Sequence, residues 1–213
     1  MFGVAELKPA VLAIDLHRGH LDPEVATMPL EAELADVVVE ANDRFFKSAR
    51  EAGVPIVHAL TSYRSDLEIR NNPFWLNASE SPTATRRNVL VHNVEGSPGI
   101  AVMPALLDAR DLVVDTKKRY DCFIATDLDF MLRALGVNTL FVTGVNTNSC
   151  VLATTVAACV RDYAAVVVSD CVETMDTREV HEAALTCVRA AFGWVMSTDE
   201  VLDLLPACSA AGA

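Results

Sequence analysis

Short runs of apolar residues alternate along the chain with stretches in which apolar residues recur every three or four positions. The first pattern is typical of strands buried on both faces, and the second is typical of amphipathic helices. Strands are predicted at 9–16, 54–60, 111–115, 139–143, 164–169 and 194–197, and helices at 29–53, 127–136, 149–161, 177–192 and 198–205. This alternation predicts an α/β fold of three layers, with helices on both faces of a mostly parallel sheet of about six strands.

The pattern fails between Thr61 and Met103, where about forty residues rich in Arg, Asn and Pro show no clear periodicity. Loops of this length are often lids or ligand-binding segments. A surface excursion or an oligomer contact explains the stretch equally well. Since 213 residues suit one domain better than two, we expect a single domain over 1–213 with an irregular insert at 61–103.

The composition of the chain indicates which kinds of partner it can bind more than which reaction it catalyses. The chain is 52% hydrophobic, with a net charge of −12 and a mean hydropathy of +0.29. The hydrophobic content predicts a sizeable core, and the acidic balance argues against a nucleic-acid partner. No apolar window has membrane-spanning length and no signal peptide is visible, so we expect a cytoplasmic protein without a membrane partner. The apolar content also favours a homo-oligomer, either a dimer or a tetramer.

Three polar residues follow predicted strands. Asp15 closes the first strand, Lys117 follows the third, and Cys150 opens the helix after the fourth. Ligands bind beyond the carboxyl ends of parallel strands, so these residues suit a site. A helix N-terminus and a lysine lower the pKa of a thiol, and a carboxylate accepts its proton. Taken singly, each residue is more often structural.

The other cysteines are interpreted as small buried hydrophobes with reduced thiols. They are Cys122, Cys159, Cys171, Cys187 and Cys208. The six cysteines are widely spaced, and no pair of Cys and His residues has zinc-finger spacing.

Three segments carry a family resemblance: AVLAIDLHRGHLDP, KKRYDCFIATDLDFMLRALGVNTLFVTGVNTNSCV and VVVSDCVETMD. The sequence resembles the isochorismatase-like cysteine hydrolases, in particular the amidohydrolase branch with N-carbamoylsarcosine amidase, ureidoacrylate and biuret hydrolases, and maleamate amidase. The resemblance runs from about Val11 to Trp194 and is weakest across 61–103. It implies an isochorismatase-like, Rossmann-like fold.

The resemblance also implies a catalytic triad. Cys150 would attack an amide carbonyl to form a thioester, Asp15 would serve as general base and then as general acid, and Lys117 would hold both charges. Lys118 is the adjacent candidate, but the family spacing favours Lys117. Since isochorismatases proper lack the nucleophilic cysteine, Cys150 argues against vinyl-ether hydrolysis.

In this family a cis peptide precedes the nucleophile, which here implies a cis bond between Val145 and Asn146. The backbone N–H groups of Asn146 and Cys150 would then form the oxyanion hole.

We expect no cofactor and no metal. Nicotinamidases carry an Asp-x-His pair after the second strand, whereas this chain reads HALTSYRSD there, with His58 but no such pair. His17 and His20 stand three positions apart and would need a third ligand that the sequence does not reveal. Roles in lining a pocket or facing solvent are therefore favoured for both histidines.

Four residues are predicted to contact the substrate: Arg64, Phe123, His20 and Trp75. An arginine past the second strand suits a carboxylate or carbamoyl oxygen, although an ion pair with a nearby acid is the simpler interpretation of Arg64. The predicted function is cysteine-dependent hydrolysis of a small primary amide, urea or N-carbamoyl compound. An isochorismatase-like activity, or a non-catalytic α/β module that binds a small molecule, is the alternative.

Overall fold

The computed structural model of the protein describes residues 1–205, so Cys208 lies outside the described part of the chain. Within it the strands are β1 (Pro9–Ile14), β2 (Ile56–Thr61), β3 (Leu112–Lys117), β4 (Thr139–Val145), β5 (Ala164–Glu173) and β6 (Trp194–Met196). Neighbouring strands pair in parallel in the order β3-β2-β1-β4-β5-β6. The predicted α/β class with a six-stranded parallel sheet is confirmed.

Eight helices connect and cover these strands in the described residues. They are α1 (Arg18–Leu21), α2 (Ala32–Glu51), α3 (Leu67–Arg70), α4 (Pro73–Glu80), α5 (Leu128–Ala134), α6 (Leu152–Cys159), α7 (Arg178–Cys187) and α8 (Thr198–Leu202). Single π-helical turns, Thr147–Val151 and Val188–Phe192, precede α6 and follow α7. None of these helices combines the length and the apolar character that crossing a membrane requires.

Alternate residues of β1 face two separate hydrophobic cores. Val11 and Ala13 pack in the core that also contains apolar residues of α2 and α8. Leu12 and Ile14 point to the opposite face, where the core includes residues of α5, α6 and α7. Every residue of β1 is buried, as expected for a central strand covered on both faces. The sheet therefore forms the middle of three layers.

The insert at 61–103 contains α3, α4 and two short 3-10 turns, so the expectation that it lacks regular elements is wrong. The side-chain oxygen of Asn72 accepts hydrogen bonds from the backbone N–H groups of Phe74 and Trp75, and Pro73 opens α4. An Asn cap followed by Pro is a recognised start signal for a helix. With only eight residues, however, α4 shows no clear apolar period.

Four residues of the insert form a separate apolar cluster with Met28, which follows α1; they are Tyr63, Ile69, Trp75 and Val89.

At the carboxyl edge of the sheet, the ends of β1 and β4 approach closely. Gly144 has a φ of +110°, and a β-carbon there would lie 1.9 Å from the carbonyl oxygen of Ile14. Asp15, which follows Ile14 in the chain, has a φ of 51°. Among residues with side chains, Asp and Asn adopt this left-handed conformation most readily. The carboxylate of Asp15 is thereby placed next to the segment that leads to Cys150.

Candidate active site

Three buried polar side chains meet at this edge of the sheet. Lys117 Nζ lies 2.6 Å from Asp15 Oδ2 and 3.3 Å from Cys150 Sγ. The backbone N–H of Thr61 donates to Asp15 Oδ1 at 2.8 Å, and Lys117 also donates to the Thr61 hydroxyl. No more than 5% of the surface of Asp15, Lys117 or Cys150 is exposed. The structure thus brings together the three residues that the sequence placed at separate strand ends.

The charges of the pair formed by Asp15 and Lys117 follow from burial and mutual attraction. Burial alone would raise the pKa of Asp15, but the Lys117 ammonium outweighs it and holds that pKa well below its usual range. Burial alone would lower the pKa of Lys117, yet Asp15 and Cys150 together raise it well above its usual value. A carboxylate beside an ammonium is therefore the resting state at neutral pH.

Cys150 is a thiol in this resting state. Burial raises its pKa to about 12, against the opposing effect of Lys117, and Asp15 raises it further. The expectation of a lowered thiol pKa is wrong for the resting protein, because removing the thiolate from water outweighs the nearby lysine. The Asp15 carboxylate, which shares the Lys117 ammonium with the thiol, is the proton acceptor beside it.

The π-helical turn that carries Cys150 is fastened to the segment after β5. The peptide bond before Asn146 is cis, as the resemblance implies. Asn146 Oδ1 accepts the backbone N–H of Met175 at 2.7 Å, and Asn148 Nδ2 donates to Asp176 Oδ2 at 2.7 Å. These contacts hold the start of the turn.

A cavity of about 420 Å³ opens onto Asp15, Lys117 and Cys150. Outside these three residues, much of its wall comes from the insert and from the segment after β3. These parts of the wall include Tyr63, Trp75, Arg86, His92, Arg119 and Tyr120.

Two of the four predicted substrate contacts lie at this cavity, namely His20 and Trp75. Phe123 does not line it, because its ring is buried in the core between the sheet and α5. Arg64 does not line it either: its side chain is 79% exposed and forms an ion pair with Glu68. The simpler interpretation of Arg64, an ion pair with a nearby acid, agrees with the structure.

Two arginines that were not predicted from the sequence reach the cavity. Arg86 donates to both carboxylate oxygens of Asp176, at 3.1 and 2.9 Å. Arg119 lies over the ring of Trp75 at 4.9 Å and donates to backbone carbonyls, and among residues 1–205 it has no carboxylate partner. Arg119 stands within the KKRY motif and could have been chosen, whereas the position of Arg86 depends on how the insert folds.

A cluster of three buried histidines lies beside the triad: His17, His20 and His92. One ring nitrogen of each lies within 4.8 Å of the others. The expectation that His17 and His20 lack a third partner is therefore wrong, since His92 reaches them from the insert. Burial lowers the pKa of all three rings, that of His17 to about 3, so the cluster is neutral at neutral pH.

Comparison with known sequences identifies the family of the chain. The model of the family described as the isochorismatase domain matches residues 9–200. Maleamate amidohydrolase of Pseudomonas putida is 28% identical over 198 residues, which cover 93% of this chain and 87% of that protein. Ureidoacrylate amidohydrolase RutB of Methylorubrum extorquens is 31% identical over 163 residues, which cover 74% of this chain and 66% of that protein.

Solved structures give the same result. N-carbamoylsarcosine amidase of Thermoplasma acidophilum superimposes with a TM-score of 0.70 at 26% identity, covering 91% of this chain and 98% of that chain. A cysteine hydrolase of Pseudomonas syringae shares the fold, with a TM-score of 0.78 at 24% identity over 96% of this chain and 95% of that chain. The chain belongs to the isochorismatase family. More specifically, it is a hydrolase that acts on amide-type C–N bonds.

Proposed function

We propose that this hydrolase cleaves the C–N bond of a small primary amide, urea or N-carbamoyl compound through a thioester on Cys150. The observation that carries the proposal is the buried contact of Lys117 Nζ with both the Asp15 carboxylate and the Cys150 sulfur. A nucleophile, a proton acceptor and a cation within hydrogen-bonding distance form the arrangement that covalent acyl transfer requires.

In the first half of the reaction, Cys150 Sγ forms a bond to the carbonyl carbon while the thiol proton moves to Asp15. The carbonyl π electrons move onto oxygen, where the backbone N–H groups of Asn146 and Cys150 stabilise the negative charge. When the C–N bond breaks, the leaving nitrogen takes the proton from Asp15 and departs as ammonia or an amine.

In the second half, water adds to the thioester carbonyl and Asp15 accepts a proton from it. Breakage of the C–S bond then releases the acid, and the sulfur regains a proton to restore the thiol. Lys117 stays protonated throughout and offsets the negative charge that moves between Asp15 and Cys150.

The resting charges favour a proton transfer that accompanies the attack. With its pKa raised to about 12, Cys150 is almost entirely protonated at pH 7. A carboxylate of very low pKa does not remove such a proton unless the new negative charge is stabilised elsewhere. The oxyanion hole supplies that stabilisation, so the sulfur becomes a strong nucleophile only when a carbonyl is in place.

The cavity supports a small substrate with an anionic group. Maleamate, ureidoacrylate and N-carbamoylsarcosine, after which three relatives are named, are small compounds with an amide or carbamoyl nitrogen. Arg119 lines the cavity without a carboxylate partner among the described residues, so its guanidinium is available to a substrate carboxylate.

The alternative functions require less than this site contains. Hydrolysis of a vinyl ether has no use for a thiol, and a module that only binds small molecules has no use for a buried ion pair. Burying an ammonium and a carboxylate costs free energy that their attraction often fails to recover. The pair of Asp15 and Lys117 therefore supports catalysis over binding alone.

The experiment compares two alanine variants in an assay of ammonia release across small amides and ureas. Cys150→Ala should abolish turnover, whereas Cys159→Ala, at the end of α6, should retain it. Hydroxylamine added to the native enzyme should divert the thioester to a hydroxamate. Equal residual activity in both variants would contradict the assignment, and release of pyruvate from isochorismate by active Cys150→Ala would favour the isochorismatase alternative.

A further inference from the structure

Two nitrogens in the histidine cluster beside the triad have no hydrogen-bond partner among residues 1–205. They are His17 Nδ1 and His92 Nε2, and both are fully buried. Buried polar atoms are almost always paired, so two unpaired nitrogens in one cluster indicate a ligand that the protein atoms do not supply. The third ring, His20, packs against both of the others, and His20 and His92 line the cavity.

The outer nitrogens of His20 and His92 are held as they are in metal sites. His20 Nδ1 lies 2.6 Å from the carbonyl oxygen of Met28 and must donate to it, which leaves a lone pair on Nε2. His92 Nδ1 lies 2.8 Å from the hydroxyl of Thr27. Metal-ligating histidines donate their second N–H to a carbonyl or similar acceptor in this way. The Met28 carbonyl only accepts and so fixes the tautomer of His20, whereas the Thr27 hydroxyl can accept from His92 Nδ1 or donate to it.

His17 needs a small rearrangement. Its Nε2 faces the Asn93 amide nitrogen at 2.9 Å, so its proton rests on Nδ1. For Nδ1 to bind a metal, the ring proton must move to Nε2. Asn93 Oδ1, which has no hydrogen-bond partner among the described residues, can then accept a hydrogen bond from Nε2 once the side-chain amide of Asn93 has flipped. The bond from Asn93 to the carbonyl of Thr61 is then lost, which lowers the affinity without removing the site.

The spacing of the three rings fits one metal ion. A tetrahedral zinc ion with Zn–N distances of about 2.0–2.1 Å separates its nitrogens by roughly 3.4 Å and the ring centroids by roughly 5 Å. Here the ring centroids are 4.8 Å apart for His17 and His20, 5.4 Å for His17 and His92, and 4.6 Å for His20 and His92, and one nitrogen of each ring lies within 4.8 Å of one nitrogen of each other ring. The separations suit one ion, but the rings of His17 and His20 are stacked with their planes 15° apart and must rotate before their nitrogens converge.

We propose that His17, His20 and His92 bind a divalent transition-metal ion, with Zn²⁺ the ion best matched to three neutral imidazoles. The site replaces the expectation of a metal-free protein. It differs from the nicotinamidase pattern, because its ligands come from the segment after β1 and from the insert.

His20 and His92 line the cavity while His17 does not, so the fourth coordination position faces the cavity. An anionic oxygen of a substrate is the ligand suited to that position. The Asp15 carboxylate, 3.6 Å from His17 Nε2, offsets part of the added positive charge next to Lys117.

The test measures metal binding directly and does not depend on the thioester chemistry. Cys150→Ala removes the nearby sulfur ligand, so this variant, stripped with a chelator, is titrated with Zn²⁺ by calorimetry. A separate metal-free sample is titrated with Co²⁺ and its visible absorption recorded, because tetrahedral nitrogen coordination gives intense bands. We expect one ion per chain and an increase in the melting temperature with Zn²⁺.

Two further variants in the same background, His92→Gln and His20→Gln, should each weaken binding by about 10²-fold or more. Cys187→Ser, which removes an exposed thiol, is the control and should bind as before. Absence of binding to the Cys150→Ala protein would overturn the proposal. So would equal affinity in either histidine variant that remains folded by circular dichroism. Loss of activity in Cys150→Ala together with intact metal binding would separate this site from the proposed reaction.

Discussion

Replacing Asp15 by asparagine tests the proton transfer at the centre of the proposed reaction. The asparagine side chain would keep an oxygen for the backbone N–H of Thr61, now 2.8 Å from Asp15 Oδ1. It would place an uncharged amide against Lys117 Nζ, now 2.6 Å from Asp15 Oδ2. The change therefore removes the proton acceptor and the counter-charge while it keeps the size of the side chain.

The kinetic loss should depend on the leaving group. Removing a general acid–base lowers the rate by about 10²–10⁴-fold when the leaving nitrogen needs a proton. An activated ester, such as a nitrophenyl ester, expels a stable anion that needs no proton. Asp15→Asn should therefore slow the amide by at least about 10²-fold and the ester by much less.

Stability should fall as well, because the Lys117 ammonium is left buried without its partner. Breaking a buried ion pair costs about 3–5 kcal/mol, a large share of the roughly 5–15 kcal/mol that stabilises a typical domain. Asp111→Asn is the matched control, since Asp111 forms a buried pair with Arg50, 2.6 Å apart, before β3 begins. It should lower stability in urea without changing the ratio of amide to ester rates.

Both substrates are assayed in both variants, and unfolding is followed by circular dichroism in urea. If Asp15→Asn slows ester and amide by the same factor, Asp15 is not the proton donor and its position at the strand end is structural. If Asp111→Asn changes the ratio as much as Asp15→Asn does, the kinetic effect is a consequence of lost stability.

Three further predictions concern separate features. Gly144→Ala should lower the free energy of unfolding by at least about 3 kcal/mol, because its β-carbon meets backbone at 1.9 Å. Gly53→Ala, with a positive φ but open space, should cost only about 1 kcal/mol in the same urea titration, and equal losses would contradict the close approach. Arg119→Gln should raise KM for carboxylate-bearing amides by about 10-fold or more with little change in kcat. The control Arg64→Gln, at an exposed arginine, should change neither constant. An unchanged KM in both variants would show that Arg119 does not bind the substrate. Burial would raise the pKa of Asp111, but His58 and Arg50 hold that pKa well below its usual range. The ionised carboxylate therefore contributes its full stability above about pH 4, and this contribution is lost as the pH falls further. Asp111→Asn should flatten this part of the curve of stability against pH, and an unchanged curve would refute the prediction.

The fold and the triad could be predicted because their signals are local. A strand buried on both faces is an apolar run wherever it occurs, and a parallel sheet brings the residues after its strands to one edge. Asp15, Lys117 and Cys150 each follow such a run, and the motif around them indicated their roles. The helices α1 and α3 span a single turn each, so no periodicity marks them in the sequence.

The remaining parts of the site depend on distances between remote segments. Nothing in the sequence places His92 beside His20, since the insert has to fold before they meet. The raised pKa of Cys150 depends on how completely the thiol is buried, which the sequence does not reveal. From the sequence, only the effects of the lysine and of the helix N-terminus on the thiol pKa could be predicted. Arg64 illustrates the same limit: its position after β2 was correct, but its side chain points to solvent and pairs with Glu68.

The carboxylate of Asp176 accepts hydrogen bonds from two parts of the molecule. Thr85 and Arg86 donate from the insert, and Asn148 donates from the turn that carries Cys150. Because one side chain serves both, a displacement of the cavity wall also displaces the turn that carries Cys150. In the proposed reaction the insert would therefore hold the nucleophile in place as well as form part of the cavity wall. A substitution in the cavity wall can alter substrate fit alone only where the residue does not contact Asp176. A substitution that displaces Asp176 would alter both the fit of the ligand and the position of the Cys150 sulfur.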